Sequence, residues 1–241
     1  MSTIDELLLS CVLLVGKEGF LLVMNNSIKS ELLGELVANE IRKSIWSKEL
    51  EFGQRLIEND LSEKYDVSRS TIRDALKILE FEELVISKPR KGTYIAHFTN
   101  KDWREIIELR TVVEAYAFVK ALPNLNSERL NKLEAILEDM RMNSINGNWK
   151  NLFDLDMKFH SYIVNLSRNS RVIRIYESIQ VQIRTFLVNL DQYYSSHQSF
   201  YEEQKELYDA LLTKDPELID KKIRIHIEYV EGKLLLAQPD T

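Results

Sequence analysis

The stretch from Asp66 to Ala96, DVSRSTIRDALKILEFEELVISKPRKGTYIA, constrains the fold most. Behind Ser68, a good N-cap residue, Ile72, Ala75, Leu76 and Leu79 recur at helical spacing, so a helix starts just after it. At ~100° per residue those four side chains share one face, and Ser70, Arg73, Asp74 and Lys77 take the opposite one. Arg69 lies near the boundary, in the first turn. Beyond Leu84, β-branched residues flank a centre that holds Pro89 and Gly92, which reads as strand, turn, strand. Asp66, in the turn before the helix, tolerates a left-handed backbone better than most residues. A helix that packs on one face and shows cations on the other, followed by a turn with Lys88, Arg90 and Lys91, suits a phosphate backbone.

Upstream, Leu32, Leu33, Leu36, Val37, Ile41 and Ile45 give a helix from Ser27 to about Ile45. Gly53 breaks the pattern, and a second short amphipathic run passes through Leu56, Ile57 and Leu61. Three helices and a two-stranded wing make a winged helix-turn-helix over residues 27–96; the alternative is a helical hairpin followed by an unrelated β-ribbon. In such a motif the start of the second helix meets base edges in the major groove, and an arginine fork matches the O6 and N7 acceptors of guanine. Taken alone, Arg69 and Arg73 read equally well as a solvated face paired with Asp66, Asp74 or Glu80; the basic turn downstream weighs against that. Residues 27–96 hold 12 Lys and Arg against 13 Asp and Glu, and the whole chain carries a net −6. DNA binding must therefore come from local placement of cations rather than bulk charge.

After a linker over residues 97–101 the chain reads as almost wholly helical. The runs are roughly 101–122, 127–145, 149–167, 170–192, 198–213 and 215–236, broken at PNLNS, NGN, SRNS and KDP. Seven Gly and four Pro are too few for the tight turns of a sandwich or barrel, so residues 102–237 read as an all-α domain of about six helices. The fold class expected is mostly α: an N-terminal winged helix-turn-helix plus a C-terminal helical bundle. A single cysteine, Cys11, leaves no internal disulfide framework and suits the cytoplasm. Residues 1–26 form an N-terminal extension whose apolar runs fall short of the ~20 residues that span a bilayer, so no membrane partner is expected. Asp5 and Glu6 stand where a signal peptide wants positive charge. The extension reads either as a hairpin turning at GKEG or as the product of a start codon assigned too early, with Met24 the natural beginning.

The residues LIENDLSEKYDVSRSTIRDALKILEFEELVISKPRKGTYIA resemble the DNA-binding domain of the GntR family of bacterial transcription regulators, densely over about 32–96. The resemblance implies that Arg69, Ser70, Thr71 and Arg73 contact bases and phosphates and that Lys91 and Gly92 form the wing tip; Lys77 and Arg90 join them as candidate DNA contacts. Asn59 departs from the DNA-contacting arginine of the fatty-acid-responsive members, and Phe52-Gly53 replaces the usual Pro-Gly.

In the second half, DLDMKFH puts Asp156 and His160 on one helix face, four residues apart. His226 lies in the last helix beside Ile223 and Val230. Two imidazoles and a carboxylate suit a divalent metal, though each histidine alone reads as a hydrogen-bonded or surface residue, and spacing does not show convergence. The segments IIELRTVVEAYAFVKAL, FDLDMKFHSYIVNLSRNSRVIRIYESI and DPELIDKKIRIHIEYV are similar to the helical effector domain, called FCD, of FadR-type GntR regulators, in its shorter VanR-like version. That similarity implies a metal, zinc or nickel, on Asp156, His160 and His226. The fourth position falls on Gln204 and weakens the site. It also implies a small carboxylate effector facing Arg110, whose structural alternative is an ion pair with Glu114.

The reading is a homodimeric repressor, not an enzyme, that binds an inverted-repeat operator in double-stranded DNA under control of a small organic acid. Two alternatives stand beside it. One is a helical metalloenzyme with an incidental winged domain, against which no nucleophile–base pair accompanies the candidate ligands. The other is a constitutive DNA-binding protein whose helical domain only dimerises.

Overall fold

The computed structural model describes residues 26–188 and 196–237; the expected hairpin or mis-started segment lies outside the described residues. The chain divides into two compact units between His97 and Phe98, and it is mostly helical.

In the first unit, helix α1 (Asn26–Trp46) leads into a short strand β1 (Arg55–Leu56) and helix α2 (Glu58–Tyr65). Helix α3 (Arg69–Phe81) follows, then strands β2 (Val85–Lys88) and β3 (Gly92–Ile95). Helix α1 packs on α3 so closely that a Cβ on Gly34 would come within 3.3 Å of the Asp74 Cβ. The core between them is apolar: Val37, Ala38, Ile41, Ile72, Ala75 and Leu79 are fully buried. Arg42 ties the two helices at their edge, with Nε donating to Glu82 at 2.7 Å and Nη1 to Glu35 at 3.0 Å.

The expected two-stranded wing is a three-stranded antiparallel sheet of order β1-β3-β2. Leu56, read as part of an amphipathic helix, sits instead in β1 opposite Thr93, with Arg55 opposite Tyr94. Two residues are too few to show an alternating pattern, and Leu56 is buried as a core strand residue would be. Strands β2 and β3 pair from Val85↔Ile95 to Lys88↔Gly92, the hairpin expected around Pro89.

The second unit holds six helices among the described residues: α4 (Asn100–Ala121), α5 (Ser127–Asn146), α6 (Trp149–Leu166), α7 (Ser170–Leu187), α8 (His197–Thr213) and α9 (Pro216–Ala237). Helix α4 is the central one and packs on α6, α7 and α9. It begins at Asn100, inside the stretch read as linker. Thr99 and Asp102 form a reciprocal capping box there that satisfies two of the otherwise orphaned N–H groups. The breaks read as PNLNS, NGN and SRNS each supply an asparagine N-cap: Asn126, Asn148 and Asn169. Helix α7 ends at Leu187, earlier than its apolar pattern suggests, with Val188 as its C-cap.

Candidate functional site

Helix α3 presents the first candidate surface. Asp66 adopts the left-handed conformation (φ 52°, ψ 48°) and closes α2, and two residues on Ser68 caps α3 by accepting from the Thr71 N–H at 3.2 Å. Arg69, Ser70, Arg73 and Lys77 are exposed. Arg73 is steered by the Arg69 carbonyl, 3.4 Å from its Nε, and by the Glu58 carboxylate at 3.5 Å. Lys77 pairs loosely with Asp74 at 3.3 Å. Thr71 departs from the expectation that it faces DNA. It is buried, and its hydroxyl lies 2.9 Å from that of Ser68, where it completes the helix start instead of reaching outward.

At the wing, Arg90 and Gly92 both have positive φ (62° and 105°), which turns the chain tightly between β2 and β3. The Lys91 N–H donates to the Lys88 carbonyl at 3.0 Å, and the Tyr94 hydroxyl to the Lys91 carbonyl at 3.1 Å. Lys88 lies over the Tyr94 ring, 4.9 Å from its centre. Arg90 and Lys91 are exposed at the tip. The side chain of Arg55, which the sequence reading passed over, lies against Gly92. A Cβ on Gly92 would meet the Arg55 Nε at 3.1 Å, a contact the arginine relieves by a small shift, so it is the positive φ that calls for glycine here.

The second candidate site is buried in the helical unit. Helix α4 supplies Arg110 and Glu114, α6 Asp156 and His160, α7 Tyr176, α8 Gln204 and α9 His226. The metal-type donors of Asp156, His160 and His226 lie within 4.8 Å of one another, the convergence that spacing alone could not show. His160 Nδ1 donates to Glu114 at 2.5 Å, which turns its Nε2 lone pair toward Asp156, 3.6 Å away. A carboxylate behind a histidine in this way fixes the tautomer that a metal requires. Glu114 is thus the residue the sequence reading undervalued: four residues after Arg110 it read as a mere ion-pair partner, yet it holds both Arg110 Nε (2.7 Å) and His160.

Gln204 has no exposed surface. Its Nε2 hydrogen-bonds Asp156 Oδ1 and lies 3.3 Å from His160 Nε2 and 3.2 Å from His226 Nε2. The expected weak oxygen ligand is therefore an amide nitrogen in the middle of the donor set. Arg110 is buried as well, with its Nη2 4.0 Å from Asp156 Oδ2, beyond hydrogen-bond reach. His197 begins α8 and stacks on Trp149 at 4.1 Å, away from the cluster.

The charges in this core are tightly set. Burial alone would push Glu114 up, but Arg110 and then His160 hold it down to about 2. Burial also opposes the charge on Arg110, yet Glu114 and Asp156 keep it above the usual guanidinium value. Burial lifts the Asp156 carboxyl above its ordinary range, and burial, then His160 and Arg110, push His226 well below the ordinary imidazole value. His226 is consequently neutral, the form that ligates metal. The chemistry of the donors fits zinc or nickel: two imidazoles and a carboxylate. Five buried polar atoms at this one centre have no protein hydrogen-bond partner: Arg110 Nη2, Asp156 Oδ2, Tyr176 Oη, Gln204 Oε1 and His226 Nδ1. An open cleft of about 340 Å³ between α8 and α9, lined by Glu202, Glu206, Lys222, Ile225 and Tyr229, reaches His226.

Residues 33–95 match the bacterial regulatory proteins of the gntR family, and residues 105–229, more than half of the chain, match the FCD domain. The gluconate operon transcriptional repressor of Bacillus licheniformis is 30% identical over 206 residues, 83% of this chain and 84% of that one. This chain belongs to the gntR family. Like its relatives, the gntR-family chain is a DNA-binding transcription regulator and not an enzyme. The gluconate operon transcriptional repressor of Bacillus subtilis (strain 168) is 28% identical over 207 residues, 83% of this chain and 84% of that one. A GntR transcriptional regulator from Rhodococcus sp. RHA1 superposes with a TM-score of 0.73 at 25% identity, over 85% of this chain and 98% of that one. McbR/YncC of E. coli shares the fold, with a TM-score of 0.72 at 20% identity over 86% and 99%.

Proposed function

We propose that this regulator is a repressor whose operator affinity is set by a small organic acid held at the buried cluster of the helical unit. The observation that carries the reading is the group of five unpartnered polar atoms around Arg110, Asp156, Tyr176, Gln204 and His226. Buried polar groups in native proteins are almost always hydrogen-bonded, and each one left without a partner costs about 1–3 kcal/mol. Five at one centre fit a site completed by a ligand that brings both acceptors and donors. A hydroxylated carboxylate has that chemistry: its acid group suits the Arg110 Nη2–H, and its hydroxyls suit the Asp156 and Gln204 oxygens. Two of the relatives are named for a gluconate operon, which makes sugar acids the first ligands to try.

In this reading Asp156, His160 and His226 hold a divalent zinc or nickel ion, which would supply a Lewis-acid anchor for the carboxylate. Residues 27–96 read DNA and residues 102–237 sense the acid and form the homodimer. Arg69, Ser70, Arg73 and Lys77 face the major groove of one half-site of an inverted repeat, while Arg90, Lys91 and Gly92 follow the adjacent backbone. The reading assigns the protein to the cytoplasm; no helix among the described residues is long and apolar enough to cross a membrane.

Operator binding followed by fluorescence anisotropy, together with thermal unfolding in a panel of sugar acids, tests the proposal. The effector should raise the melting temperature by mass action and weaken operator binding at least tenfold. An acid that stabilises the protein yet leaves operator affinity unchanged would reduce the helical unit to a dimerisation module.

A further inference from the structure

Gln204 holds the centre of the donor set with the end of its side chain that cannot ligate a metal. The orientation of the amide follows from its neighbours. Asp156 Oδ1 accepts from its nitrogen, and in the tautomer that binds a metal, with the single N–H of His160 on Nδ1 toward Glu114, His160 Nε2 is an acceptor too. Turning the amide around would set its oxygen against a carboxylate oxygen and an imidazole lone pair. The nitrogen therefore points inward, in contact with the same three atoms that an ion would use. Zinc binds nitrogen and oxygen at about 2.0–2.2 Å, and an amide NH2 has no lone pair to give it. Three donors within 4.8 Å of one another have no room for both the ion and the amide nitrogen.

We propose that Gln204 competes with the divalent ion for this position and is not its fourth ligand. The amide is a neutral internal substitute: one hydrogen goes to Asp156 Oδ1, and the other is shared between the ring nitrogens of His160 and His226, both within 3.3 Å. Metal can enter only when the side chain swings away, and an acid that draws Gln204 out of the centre raises metal affinity. The proposal rests on the metal reading of the previous subsection and reverses the expected effect of deleting this residue. A ligand, once removed, lowers affinity; a competitor, once removed, raises it.

The test is calorimetric titration of zinc and nickel into full-length protein stripped with chelator, for wild type, Gln204→Ala, Gln204→His and His160→Ala, with circular dichroism to verify folding. Gln204→Ala should bind at least tenfold more tightly than wild type, Gln204→His more tightly still, and His160→Ala not measurably. A second readout needs no substitution. In the NMR spectrum of the metal-free wild type one glutamine NH2 pair should exchange slowly with solvent, and saturating metal should release it. Weaker binding by Gln204→Ala, or an NH2 pair that stays protected at saturating metal, overturns the competition while leaving the metal site intact. Absence of metal from every variant, Gln204→His included, overturns both.

Discussion

Thr71 and Gln204 mark where reading residues one at a time falls short. Thr71 lies among exposed candidate DNA contacts in the sequence, yet it turns inward to meet Ser68, because an N-cap needs its third helical residue close by. Ser68→Ala should accordingly lower stability by about 1 kcal/mol in urea unfolding, with the arginine face unchanged. Gln204 was legible as a departure at a ligand position, but not which amide end would point inward; that depends on the tautomer of His160, fixed from another helix. Arg110 stood as two readings, pocket residue or partner of Glu114; the structure shows the ion pair with Glu114 at 2.7 Å and Nη2 4.0 Å from Asp156. Replacing it with alanine strands the buried Glu114 carboxylate, and breaking a buried pair in this way typically costs about 3–5 kcal/mol. Chemical denaturation of Arg110→Ala measures this directly. A loss under 1 kcal/mol would mean that Glu114 is satisfied without it.

The elements were far more legible than the site. Six helical runs in the second half stand close to their expected bounds, since an apolar period of 3.6 residues sustained over many turns and ended by Asn or Ser has few other solutions. Strand β1 was invisible because two residues carry no period, and its pairing with Tyr94 and Thr93 spans almost forty residues of chain. On α3, Arg69→Ala and Arg73→Ala should each weaken specific operator binding by about 1–3 kcal/mol. Lys91→Ala at the wing should weaken specific and non-specific DNA alike and flatten the salt dependence by about one unit of slope. Anisotropy at several salt concentrations separates the two behaviours; unchanged affinity in both arginine variants would remove α3 from the interface. Gly92→Ala meets an unfavourable φ, so it should loosen the wing and weaken DNA binding as Lys91→Ala does.

For the whole molecule, the lack of bulk positive charge makes assembly matter. One winged helix offers a small contact, and a protein at −6 gains little general attraction to DNA. Two copies on a two-fold operator double the set of cations at α3 and the wing. Light scattering at micromolar concentration should give about twice 28.3 kDa; a monomer with and without DNA would contradict this. A dimer surface could not be told from the sequence, because an apolar helix face looks the same whether it meets its own core or a second chain.

The pairing of Arg55 and Leu56 with the last strand joins the segment just after α1 to the end of the DNA-reading unit, with α2, α3 and β2 inside the closed loop. A loop fastened in this way opens as one cooperative block, since freeing the hairpin also uncovers the core beneath α3. Native-state hydrogen exchange should therefore find the amides of β3 and those of Ile72 to Leu79 sharing one opening free energy, with Leu56→Ala lowering it for the whole group together. If the β3 amides exchange with a much smaller opening energy than those of α3, the wing frays by itself and β1 is not its clasp.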